Sequence, residues 1–247
     1  MNNRFLRRAG ASQIVKKMTL KVLMEQHLIE EGDRILLAVS GGKDSTVLAW
    51  ALSEAKQALK VKYELMAVHI SSDFCYCCQK GELEKKLSEW GIPFEDLSVP
   101  IIGRLKKGRK MNCYWCSSQR RTELIRYAME RGYNKIALGH HMDDIIETLF
   151  MNMMNKGSLY TMPIYLKYRK YPIALIRPLA YLEEREIINC AEELNILKNT
   201  CTCPYGINSG RREVRKRLAD LTGKSGAVKR RILSSISKGN IDLLRED

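Results

Sequence analysis

A chain of 247 residues, 45% hydrophobic and 28% charged, has the composition of a globular protein with one full core, and this excludes a wholly disordered chain or a disulfide-stapled miniprotein. No apolar run approaches a membrane span and Met1-Asn2-Asn3-Arg4-Phe5 does not open a secretory signal, so the expected setting is cytoplasmic, with no membrane partner. Lysine and arginine outnumber acids 42 to 28, and the formal charge of +14 points to a polyanion, nucleic acid first.

Taken in order, residues 1–30 carry Arg4, Arg7, Arg8, Lys16, Lys17 and Lys21 among Ile14, Met18 and Val22. The four-residue spacing of those apolar positions predicts a basic amphipathic helix. Ile35–Val39 reads as a buried strand, Ser45–Leu59 as its crossover helix and Tyr63–Ile70 as a second strand. Glu82–Trp90 reads as a helix, Phe94–Val99 as a strand, Thr122–Arg131 as a helix and Lys135–Gly139 as a short strand. An apolar helix then runs through Met154, Tyr171–Leu175 lies between two loops, and Leu182–Leu194 is helical. Glu213–Leu221 is a basic helix, and Lys224–Lys238 a basic helix leading into a partly mobile tail. Strands alternating with helices predict the α/β class, a parallel sheet covered by helices on both faces. Three units are expected: a basic helix over 1–30, a catalytic domain over 31–222, and a basic end over 223–247.

In such sheets ligands sit beyond the carboxyl ends of the strands. Ser40-Gly41-Gly42-Lys43-Asp44-Ser45 occupies one such end, between a buried strand and a helix start. Glycines admit an anion to the backbone, and the first helical turn aims free N–H groups at it. The adjacent glycines, with Lys43 directly after them, differ from the nucleoside-triphosphatase loop. They resemble the pyrophosphate loop of the N-type ATP pyrophosphatases, which adenylate a substrate and release pyrophosphate. A second end carries His69, Ile70 and Ser71. The third carries Gly139-His140-His141-Met142-Asp143-Asp144, where two adjacent carboxylates suit a magnesium ion bridging phosphates. A helix cap would account for one of those aspartates.

Eight cysteines in a reducing compartment point to metal or redox chemistry. Cys113-Tyr114-Trp115-Cys116, placed before a helix, is by itself a redox pair, half a zinc site or part of an iron–sulfur site. Cys203-Pro204-Tyr205 is followed at +8 and +12 by Arg211 and Arg215, with Arg212 beside them. Cys75, Cys77 and Cys78 cluster after the second strand, and Cys190 reads as a buried small residue.

Asp33-Arg34-Ile35, the Ser-Gly-Gly-Lys-Asp-Ser loop, Cys-x-x-Cys, Leu-Gly-His-His-x-Asp-Asp and Ile176-Arg177-Pro178-Leu179 follow one another in a single order. In that order the chain resembles the TtcA/TtuA family of tRNA 2-thiolation enzymes, on the TtcA side of it, from about residue 10 to 220. Chain ends without paired Cys-x-x-Cys zinc modules favour that side. The resemblance implies a 4Fe-4S cluster held by Cys113, Cys116 and Cys203, with Cys201 as the alternative third ligand and one iron left open. It implies ATP held by Ser40, Gly41, Gly42, Lys43, Asp44, Ser45, Gly139 and Asp144, with adenine near His69, Ile70 and Ser71. Mg²⁺ is expected on Asp44, Asp143 and Asp144, and Lys43 and Asp44 join the three cysteines as catalytic residues. A pyrimidine C2 oxygen, most readily that of cytidine, would attack the α-phosphate, and sulfide would then displace AMP. The implied partners are tRNA, bound in part by Arg211, Arg212 and Arg215, and a sulfur donor, either cysteine desulfurase or free sulfide, with room for a homodimer. Cys75, Cys77 and Cys78 depart from the family pattern and suggest sulfur delivery or a second metal. Two rivals stand beside this reading: another tRNA-modifying pyrophosphatase of the 2-thiouridine or lysidine type, and a non-catalytic metal-bearing RNA-binding or redox protein.

Overall fold

The computed structural model describes residues 10–74, 80–196 and 210–238. Six strands form one sheet: β1 (Asp33–Ala38), β2 (Tyr63–Ser72), β3 (Phe94–Val99), β4 (Lys135–Ala137), β5 (Tyr165–Lys167) and β6 (Ala174–Ile176). Their spatial order is β3-β2-β1-β4-β6-β5, parallel throughout except for β5, which runs antiparallel at the edge. The expected doubly covered parallel sheet is therefore present. Its order reverses at β1, with β2 on one side and β4 on the other, which opens a crevice at their carboxyl ends.

Alternation along β1 divides the core. Ile35, Leu37 and Val39 face a cluster built with α1 (Ala11–Glu25), α2 (Lys43–Ala58), α3 (Lys80–Glu89) and α6 (Glu184–Glu193). Leu36 faces the opposite layer, where Leu124, Ile125 and Ala128 of α4 (Cys113–Arg131) pack on Ile136 and Leu175. A third cluster joins α5 (Met142–Lys156), α7 (Gly210–Thr222) and α8 (Gly226–Lys238) through Ile145, Ile146, Leu149, Leu218, Leu233 and Ile236. Helices α1 and α8 thus pack into the same body as the expected catalytic domain.

Four elements differ from expectation. The buried face of α1 is Val15, Thr19, Val22 and Leu23, and Ile14 is exposed. The apolar positions fit two neighbouring stripes, and burial of Thr19 selects the other one. Helix α4 opens at Cys113, nine residues before the expected Thr122, because the Asn112 side chain caps it by accepting from Trp115 N–H at 2.8 Å. The Cys-x-x-Cys therefore forms the first turn of the helix. Tyr171–Leu175, expected only to lie between two loops, runs into strand β6 at Ala174–Ile176, paired with the unforeseen β5.

The Asp33-Arg34 pair lies at the amino end of the sheet, away from the crevice. Lys135 Nζ meets buried Asp33 at 2.7 Å and Asn134 Nδ2 donates to the same carboxylate at 2.8 Å. This pair locks β4 to β1, and removing one partner would strand a buried charge at a cost of roughly 3–5 kcal/mol.

Candidate active site

The glycine loop runs from the end of β1 to Lys43, the first residue of α2. Gly41 adopts φ +80° and Gly42 stands at the helix N-cap. The two serines brace the turn: Ser45 Oγ donates to Gly42 O at 3.0 Å and accepts from Ser40 N–H at 3.1 Å. Ser40 Oγ lies 3.2 Å from Ser45 Oγ, and Thr46 Oγ1 donates to Gly42 O at 3.1 Å. The loop is thus held in shape by its own hydroxyls.

Gly139 shows why the third strand end belongs to the same site. A Cβ there would stand 2.9 Å from Ser45 N and 3.0 Å from Asp44 C and Ser45 Cα. The turn from β4 to α5 therefore lies directly on the glycine loop, and only glycine admits the approach. The amino ends of α2 and α5 converge on one crevice.

His141 is buried at the centre of the carboxylates. Its Nε2 lies 3.4 Å from Asp144 Oδ2 and 3.9 Å from Asp44 Oδ1, and its Nδ1 lies 3.7 Å from Asp143 Oδ2. The Asp144 carboxylate also accepts from His141 N–H at 3.2 Å, which caps α5. The two aspartates then part company. Asp143 is committed within the protein, accepting from Lys229 Nζ at 2.6 Å and Glu184 N–H at 2.7 Å. Asp143, the third carboxylate expected on Mg²⁺, thus carries an ammonium and a backbone N–H on its two oxygens. Asp44 Oδ1 is buried without a hydrogen bond, with the Lys43 ammonium 3.1 Å away besides His141.

Lys43 is the pivot of a charge chain that the sequence did not announce. Its Nζ meets Asp44 and, at 3.0 Å, Glu184 on α6. Burial pulls the Lys43 pKa down, but Asp44 and Glu184 outweigh it and hold the pKa above the ordinary value, so the ammonium stays charged. Arg215 Nη1 reaches Glu184 at 3.5 Å, while Arg215 Nε donates to buried Glu147 at 2.6 Å. Arg215, expected on RNA, is half-exposed and ties α7 to α5 and α6. Arg212 is exposed. Glu184, Arg215 and Lys229 line a cavity of about 480 Å³ whose charges are largely paired across its walls.

His69 is buried, and its Nδ1 bonds the Val39 carbonyl at 2.8 Å, tying β2 to the residue ahead of the loop. Burial, opposed by that bond, holds the His69 pKa below the ordinary value and keeps the ring neutral. Ser71 Oγ donates to Asp96 at 2.6 Å, and Ile70 O accepts from Arg120 of α4 at 2.6 Å. Arg177 is buried and positions the histidine turn, with Nη1 on the Pro163 carbonyl and Nε 3.4 Å from His140 Nδ1.

Cys113 and Cys116 are one helical turn apart at the start of α4, which places both thiols on one helix face. Because α4 follows β3, this turn lies at the carboxyl end of the sheet, as the glycine loop does. Cys113 is exposed and Cys116 partly so, and a pair of accessible thiols on one face suits a soft metal or cluster. Cys203, its alternative Cys201, the Cys75, Cys77 and Cys78 group and the side chain of Arg211 lie outside the described residues. Among the described residues no preformed group of three metal-binding side chains occurs, and no helix is long and apolar enough to cross a membrane. The buried Asp44 oxygen without a hydrogen bond is chemically suited to a hard cation, which takes oxygen ligands.

Comparison with known proteins gives this arrangement its place. A PP-loop domain matches residues 12–218. The chain belongs to the PP-loop family. Its relatives include the tRNA-cytidine(32) 2-sulfurtransferase of Syntrophotalea carbinolica, 37% identical, covering 83% of this chain and 80% of that one. The protein of the same name from Geobacter sulfurreducens is 35% identical over 92% of this chain and 89% of its own length. Identity of that extent makes the chain a member of the TtcA-type sulfurtransferase family within the PP-loop proteins. In fold it is similar to the U34-tRNA thiolase NcsA of Methanococcus maripaludis, solved with its [4Fe-4S] cluster: TM-score 0.77, 24% identity, 96% of this chain and 81% of that one.

Proposed function

We propose that this PP-loop protein is an ATP-dependent tRNA sulfurtransferase that replaces the C2 oxygen of a pyrimidine, cytidine first, with sulfur. One juxtaposition carries the reading: a braced pyrophosphate loop and an accessible Cys-x-x-Cys turn at the same end of one sheet, bridged by the Arg120 bond to Ile70. In this reading the backbone of Ser40–Ser45 and the amino ends of α2 and α5 receive the ATP phosphates, and Gly139 lets the two turns close on them. Asp44 and Asp144 hold Mg²⁺ against those phosphates, and Lys43, kept charged, offsets the charge that develops as pyrophosphate leaves. Adenine lies against the strand end at His69–Ser71. The substrate carbonyl oxygen attacks the α-phosphate, forming a C2–O–P bond, and a sulfur nucleophile then takes that carbon as AMP departs. Cys113, Cys116 and Cys203 would hold a 4Fe-4S cluster, which when bound would supply an open iron to carry sulfide. The sulfur donor is free sulfide, or a cysteine desulfurase persulfide reduced to sulfide by a two-electron thiol reductant, in the cytoplasm where tRNA is modified.

The test is reconstitution under anaerobic conditions with tRNA, ATP, Mg²⁺ and sulfide, followed by mass analysis of the digested nucleosides. 2-Thiocytidine is the expected product. Thiouridine would move the assignment to the other pyrimidine, and unmodified tRNA from iron-loaded protein would remove it.

A further inference from the structure

The tRNA-facing element expected from the sequence was the arginine group of α7, where Arg215, half-exposed, is already neutralised by Glu147 and Glu184. Among the described residues, a dense group of uncompensated charge lies elsewhere. Between Asp96 and Glu123 there is no acidic residue, while Arg104, Lys106, Lys107, Arg109 and Lys110 crowd the link from β3 to α4. This link is built rather than loose. Asp73 accepts from Ile102 N–H and Gly103 N–H, each at 3.1 Å, and fixes its start. Arg104 is tied to buried Glu123 at 2.6 Å. Beyond that anchor, Arg109 N–H donates to the Lys106 carbonyl at 3.0 Å and closes a tight turn, with Gly108 at φ +82° where a side chain would be strained. Lys106, Lys107, Arg109 and Lys110 are all exposed, and none forms an ion pair with a described residue. The chain then enters α4, whose first turn has no acid and holds Cys113 and Cys116. Between the two cysteines Tyr114 is 83% exposed. A phenol ring left in water on a well-formed helix contributes nothing to the core, whereas nucleobases stack on such rings at about 1–3 kcal/mol each.

Resting on the sulfurtransferase reading, we propose that the Lys106–Lys110 turn grips the tRNA backbone next to the modified nucleotide and that Tyr114 stacks on a nucleobase there. The cations position the RNA without reading sequence, and the ring holds an unpaired base beside the cysteines. Dense positive charge in a fixed turn, together with one bare aromatic, suits single-stranded RNA at a loop.

The experiment measures tRNA affinity across a salt series on the full chain, a readout that does not need turnover. K106A/K107A is compared with K60A/K62A, which removes equal charge from exposed lysines at the amino end of the sheet. Expected for K106A/K107A is at least a tenfold loss near 0.1 M salt and a slope of log K flatter by about 1.4–1.8, with K60A/K62A close to wild type. Tyr114→Ala is expected to weaken binding by about five- to a hundredfold with the salt slope unchanged, and Tyr114→Phe to restore it. Equal losses from the two lysine pairs would make the effect one of net charge and overturn the proposal. A Tyr114→Ala chain that binds like wild type would remove the stacking. If wild-type chain binds no tRNA, the sulfurtransferase reading fails; if it binds tRNA and these variants change nothing, only this inference falls.

Discussion

At the nucleotide end and at the cysteine end the same sheet edge is finished in opposite ways. Around the glycine loop every charge has an answering charge: Lys43 with Asp44 and Glu184, Arg215 with Glu147, Lys229 with Asp143. His141, Glu147 and Glu183 are buried, and backbone meets backbone at Gly139. Around the first turn of α4 the cations stand in water and the ring of Tyr114 is bare. One end is preorganised for a small ligand of fixed shape, where a misplacement of an ångström is costly. The other is prepared for a large polyanion that brings the compensating charge itself. The contrast implies that damage to one end leaves the other's readout intact, and substitutions can be ranked by how sharply they test this.

The largest effect is expected from Cys113→Ala or Cys116→Ala. Thiolation and the visible absorption of anaerobically purified protein should vanish while ATP affinity is kept, as checked by absorbance, iron analysis and nucleotide titration. Colourless wild-type protein carrying stoichiometric zinc would remove the cluster from the scheme. Gly139→Ala should follow, because the added carbon meets backbone atoms of Ser45 and Asp44 at 2.9–3.0 Å. A loss of about a hundredfold or more in kcat/KM for ATP is expected, with tRNA affinity unchanged. Parallel losses in both would show that the two ends are not separable.

Glu184→Gln should act more mildly. It releases Lys43 and Arg215 from a shared carboxylate without emptying the space. A fall of roughly tenfold in the adenylation rate is expected, with tRNA affinity again unmoved. The smallest effect belongs to Cys190, fully buried, its thiol pushed up to about 12 by burial and by Glu193. At pH 8 it stays protonated and inert, so alkylation of the folded chain should modify Cys113 and spare Cys190. Rapid labelling of Cys190 would mean that α6 opens readily.

These two ends were unequally legible in the sequence. The glycine loop, the Asp143-Asp144 pair and the Cys-x-x-Cys announce themselves because each depends on neighbours in sequence. Glu184, Glu147 and Lys229 do not, since their roles come from helices brought together only by the fold. For the same reason the sequence did not show the partners of Asp143 and Arg215, which lie far along the chain. Polar residues hid two boundaries: the start of α4 behind Asn112 and two serines, and strand β5, an edge strand with little buried surface. The basic turn at Lys106–Lys110 was not singled out from the sequence, and its meaning depended on finding its start anchored through Asp73 and Glu123.

The most direct test of the two-ended scheme follows α-labelled ATP and tRNA sulfur in one anaerobic reaction with sulfide present. Wild-type protein should release AMP and pyrophosphate, with one AMP for each thionucleoside formed. ADP and orthophosphate as the main products, or sulfur entering tRNA without AMP, would contradict it.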